Sequence, residues 1–179
     1  MKKSRWIVPA LALAFAAVGC ILTTGQFFVN FDLDNITVST DSQVASEYVD
    51  LNTISAYSDH KDQLEGVSDL AVLGTIFNTG ATGIDVQVWM TPDSTGYSTP
   101  SQVTTNATLL WGPFAVSAGD SATIGWVEST KLFSSTGKSM LIDQVKGDGE
   151  FTVYVISPGT NYSFDVDNGV LVVVIEAGL

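Results

Sequence analysis

This chain of 179 residues predicts an all-β fold: a single sandwich, immunoglobulin-like or jelly-roll-like, of about nine strands with two short helices. Three observations lead there. Apolar residues recur at period two in short runs, the signature of strands with one face on a core. Turn signals separate nearly all of the runs: Asn78-Thr79-Gly80, Ala118-Gly119-Asp120, Gly147-Asp148-Gly149, Pro158-Gly159 and Asn168-Gly169. No linker-like shift of composition divides the chain, so one domain accommodates all of them.

The elements follow in order. In residues 27–33 Phe27, Val29, Phe31 and Leu33 are apolar while Asn30, Asp32 and Asp34 are polar, which gives a half-buried strand. Residues 48–51 form a short second strand, and residues 70–77, apolar on both faces, a central covered one. Ile84, Val86, Val88 and Met90 make one face of the next strand, with Asp85, Gln87 and Trp89 on the other. Residues 109–116, 122–127, 151–156, 162–166 and 170–175 supply the rest, with Trp126 continuing the inward face of Ala122 and Ile124. Asn168-Gly169, the strongest short hairpin signal in the chain, should join the last two. Ser58 can cap a helix over residues 59–65 that stops at Gly66, and residues 135–146 form a second with Met140, Leu141 and Val145 on one face and Gly147 as the stop. Both should close open ends of the sandwich.

The N-terminus has a different character. Lys2, Lys3 and Arg5 precede an uncharged apolar run over residues 6–18, thirteen residues against the roughly 20 that a helix needs to cross a bilayer. This is a secretory leader rather than a span. It ends at Cys20, the only cysteine, so no intramolecular disulfide can form. Ala17-Val18-Gly19-Cys20 resembles the lipobox of bacterial lipoproteins, with Ala17 where leucine is usual. The resemblance implies cleavage before Cys20 and acylation of its thiol, hence a signal peptide at 1–19, a lipid attachment and short tether at 20–26, and a domain at 27–179. It also implies export and a lipid anchor on the cell envelope, at the outer membrane or cell surface. The same small residues suit an ordinary signal peptidase, which would leave a soluble secreted protein.

Nineteen acidic residues follow Cys20 against four lysines and no arginine, a formal charge of −15. Such a surface repels phosphate backbones and excludes nucleic acid as a partner. The acids are spread along the chain, as solubility in a salty exterior requires. The echo of residues 31–35 in residues 164–168 places Asp32, Asp34, Asp165 and Asp167 as weak Ca²⁺ candidates, without the spaced downstream glutamate of a complete loop. The simpler reading is a solvated face and no metal. His60, the single histidine, stands in a polar run with no nucleophile elbow nearby, so no catalytic residue and no cofactor is expected. Glycosidase-type carboxylate pairs stay open, since their separation is invisible in sequence.

Aromatic residues offer more. Trp89 lies on the polar face of its strand, and residues 91–106, rich in Ser and Thr with Tyr97 at the middle, read as a long loop. Trp89, Tyr97 and Trp111 could therefore form a stacking platform for sugar rings, or else pack in the sandwich. Two expectations follow: a non-enzymatic envelope lipoprotein with a structural or protein-interaction role, whose partner is an envelope protein or a copy of itself, and, as the alternative, a glycan-binding module.

Overall fold

A computed structural model describes residues 24–39, 44–59, 61–94, 96–159 and 161–178. Eight strands run through them: β1 (Thr24–Ser39), β2 (Ala45–Asp50), β3 (Leu64–Asn78), β4 (Ile84–Thr91), β5 (Thr108–Val116), β6 (Ser121–Ile124), β7 (Glu150–Ile156) and β8 (Ser163–Gly178). They form two four-stranded sheets, ordered β1-β8-β3-β6 and β2-β7-β4-β5, with every pairing antiparallel. Two such sheets of eight strands, linked by crossings from one to the other, have the connectivity of a jelly roll. The expected all-β sandwich is thus present.

The core lies between the sheets. Val29, Val38, Leu70, Val72, Ile76, Phe164, Leu171, Val173 and Ile175 of the first sheet meet Val86, Val88, Met90, Trp111, Phe151 and Val153 of the second. Within each strand these residues recur mainly at intervals of two, because alternate side chains point to one face. Burying a large aliphatic or aromatic side chain contributes about 1.5–3 kcal/mol each, which is how a domain without cross-links holds together.

Four short α-helices complete the described chain: α1 (Ser55–Ser58), α2 (Pro100–Asn106), α3 (Trp126–Ser129) and α4 (Ser135–Lys146). Helix α4 has the expected bounds. Ser134 caps it by accepting from the Gly137 amide at 2.9 Å, and Leu141 and Val145 are buried. The buried Tyr57 hydroxyl donates to the Val145 carbonyl at 2.8 Å, which ties α1 to the end of α4.

Several expectations are corrected. Among the described residues there are eight strands, since residues 162–166 and 170–175 belong to one strand, β8. Asn168-Gly169 is not a hairpin, because the flanking runs pair with β1 and β3 throughout and not with each other. The dipeptide forms an irregularity instead. Asn168 takes φ +50, its amide donates to Asn35 Oδ1 at 2.9 Å, and the β3 register skips from Leu73↔Val170 to Thr75↔Asp167. A local left-handed residue serves a bulge as well as a turn. The helix over residues 59–65 is replaced by α1 and a 3-10 turn at Lys61–Gln63, after which Leu64 and Val67 pair with β8 and pack on the core. Strand pairing there outweighs the local capping signal. The first strand begins at Thr24, ahead of residue 27. The stretch 91–106 is no structureless loop, because α2 occupies its second half with a Thr99/Gln102 capping box and Pro100 in its first turn. Strand β6 ends at Ile124, and Trp126 opens α3, half-buried rather than in the core.

Gly74 takes φ +146 beside the bulge, where an added Cβ would lie 3.2 Å from both the Asp167 carbonyl oxygen and Gly169 Cα. Gly74→Ala is expected to destabilise the domain by about 1–3 kcal/mol, from backbone strain and the clash together. Gly66→Ala, with nothing within 4 Å of its Cβ position, should leave the urea midpoint unchanged or slightly raised. Equal midpoints for the two variants would contradict this role for Gly74.

Candidate functional site

Trp89 lies on the outer face of the second sheet, in register with Tyr154 of β7. Helix α2 folds back over this face, and its Val103 is fully buried with Tyr154 and Ile156. Trp89 and Tyr97 both pack against that cluster, the Tyr97 ring standing 5.5 Å from the Tyr154 ring at a tilt of 34°. The Trp89 indole donates to Gln87 Oε1 at 2.9 Å. Both aromatics are half-buried and engaged by the protein itself.

Trp111 is elsewhere. It faces the core with no exposed surface, and its indole donates to both the carbonyl oxygen and Oγ of Ser129 at 3.1 Å. It presents no face on which a ring could stack, so the three aromatics do not form one platform. Strand β5 carries register shifts against β4 around Val88, and these put Trp111 opposite Val88 while Trp89 meets Leu109.

The four aspartates lie on β1 and β8 of the first sheet, on the two sides of the bulge. Asp165 pairs with Thr37, whose hydroxyl donates to Asp165 Oδ1 at 2.6 Å, and Asp167 stands opposite Thr75. Asp32 pairs with Val170 and Asp34 with Gly169 across the bulge, so the Asp32 carboxylate belongs to a separate groove between β1 and β2. Among the described residues no group of three or more His, Cys, Asp or Glu side chains is placed to hold a metal ion. Cys20 and His60 lie outside the described residues.

The groove, which no local sequence pattern marks, joins the edge strands of the two sheets, β1 and β2. Asn30, Asp32, Glu47, Tyr48, Asp50 and Thr53 line it, around a volume of about 230 Å³. Its acids serve structural bonds: Asp50 Oδ1 accepts from the Asn52 amide at 2.9 Å and its side chain at 2.8 Å. The Tyr48 hydroxyl donates to Glu150 Oε2 at 2.6 Å.

No protein-family model matches the chain, and no curated protein matches it. Among solved structures, a chain of Desmodium yellow mottle tymovirus is similar at 12% identity, with 87% of this chain and 86% of that one covered and a TM-score of 0.35. At that TM-score the likeness does not bear on function.

The Tyr48 phenol is pushed up to about 12, first because its proton is held by the Glu150 carboxylate and further by the negative charges of Glu150, Asp50 and Asp148. Ionising it would break the bond and set a phenolate against carboxylates. In a difference titration against Tyr48→Phe, the native residue should ionise well above the free phenol, and Glu150→Gln should bring it back toward about 10.

Proposed function

We propose that the chain is an exported, lipid-anchored envelope lipoprotein whose jelly-roll domain has a structural or protein-interaction role and no catalytic one. The observation that carries this reading is the position of Cys20. The only cysteine stands directly after a cationic head, a thirteen-residue apolar run and small residues, where acylation gives it a use that pairing cannot.

Three features support the reading. Strand β1 already includes Thr24, so no more than four residues of chain, ~14 Å at ~3.5 Å per residue, separate it from the acylated residue. A domain held so near a membrane meets partners at that membrane. Trp89 and Tyr97 are taken up by packing against Val103 and Tyr154, which favours an interaction role over a carbohydrate platform. The acidic surface favours protein partners or zwitterionic surroundings over nucleic acid.

Cys20→Ser is expected to move the protein from the membrane pellet into the soluble fraction of expressing cells, with the domain's melting temperature unchanged. Wild-type protein recovered wholly soluble would overturn the proposal.

A further inference from the structure

The outer face of the first sheet departs from the alternation that a solvated sheet requires. In β8, Leu171, Val173 and Ile175 belong to the core, so Val172 and Val174 point away from it. On that side a polar residue is the rule for a sheet with one wet face. Both valines are instead apolar and nearly covered, at 7% and 5% exposure. Of their four neighbours in register two are apolar, Phe28 of β1 opposite Val174 and Ala71 of β3 opposite Val172, and two are polar, Asn30 of β1 opposite Val172 and Asp69 of β3 opposite Val174.

Trp126 closes the row on the far side. Asp69 of β3 is the other neighbour of Val174, and the Trp126 indole donates to its Oδ2 at 3.2 Å while the Leu70 amide holds Oδ1 at 2.9 Å. The one acid inside the row thus has both oxygens engaged by the protein. Val127 follows Trp126 in α3 and is 70% exposed, and Phe28 is 63% exposed. From Phe28 on the edge strand to α3 the row crosses about three strand spacings, roughly 15 Å.

The chain ahead of β1 says what meets this face. Thr24 starts the strand that carries Phe28, and Cys20 lies four residues before it, within ~14 Å. Phe28 is only four residues further on, about 13 Å along the strand. Aromatic and aliphatic side chains beside a membrane anchor settle at the headgroup boundary, where an indole with one polar tip is favoured. We propose that the outer face of the first sheet, through Phe28, Trp126 and Val127, rests on the bilayer that holds the lipid of Cys20. This rests on the lipid anchor proposed above. Glu176 and Asp32 at the margins of the face make it suited to zwitterionic rather than anionic headgroups.

The test uses the mature lipidated protein in phosphatidylcholine vesicles with and without bromine on the acyl chains. Brominated lipid should quench part of the tryptophan emission, and Trp126→Phe should remove the quenchable part, since Trp111 is buried and Trp89 lies on the opposite sheet. Phe28→Asp and Val127→Asp, on separate elements, should stay in the vesicle pellet and keep their melting temperatures while losing the quenching. Wild-type protein that pellets with vesicles but is not quenched would overturn the docking face and leave the anchor standing. Unquenched protein that crosslinks as a dimer through Phe28 would overturn it in favour of a second copy. Protein that does not pellet at all would overturn the anchor and the docking face together.

Discussion

One buried hydroxyl links the two sheets. Ser129 sits between them with no exposed surface, and its Oγ accepts the Val72 amide of β3 at 2.7 Å and the Trp111 indole of β5 at 3.1 Å. Strand β6 pairs with β3 only from Gly74 to Phe77, so beyond that point the edge of β3 lacks a strand partner. Helix α3 takes the place of the missing strand and supplies the acceptor. An unpaired amide and indole buried at that depth would each cost about 1–3 kcal/mol, which makes the turn of the chain after Ile124 a condition of the whole sandwich. The same helix carries Trp126 to Asp69, so the contact that joins the sheets also shapes the outer face of the first.

A second constraint acts along β8. That strand lies between β1 and β3 over sixteen residues, and its two halves would not stay in register with both neighbours without relief. Asn168 and Gly169 provide the relief, with Gly74 opposite giving the room for backbones to approach. On one side of this bulge the outer face carries Thr37, Asp165, Asp167 and Thr75, with the exposed Phe77 opposite Asp165. On the other it mixes Phe28, Val172 and Val174 with Gln26, Asn30 and Glu176.

These features explain what could be read from the sequence. Period-two runs and the capped helix at 135–146 were legible because local pattern and tertiary demand agree there. Asn168-Gly169 reads as a hairpin although it forms a bulge, because a left-handed Asn followed by Gly serves both alike and only the pairing partners distinguish them. The helix expected at residues 59–65 lost to strand pairing of Leu64 and Val67, a long-range interaction with β8. Helix α2 had a readable signal in Thr99, Pro100 and Gln102, hidden within a Ser/Thr-rich composition. For the candidate site, parity placed Trp89 on the outer face correctly, whereas Trp111 went to the core through register shifts that no local pattern reveals. The groove beside Tyr48 and the row from Phe28 to Trp126 depend on which strands become neighbours, and so belong to topology alone.

The proposed role depends on chemistry at a single thiol, with a domain whose first strand starts four residues later. Mass spectrometry of the N-terminal peptide from the protein purified out of membranes addresses it directly. The expected peptide begins at Cys20, lacks residues 1–19 and carries a thioether-linked diacylglyceryl group. A peptide beginning elsewhere, or a Cys20 with a free thiol, would contradict it.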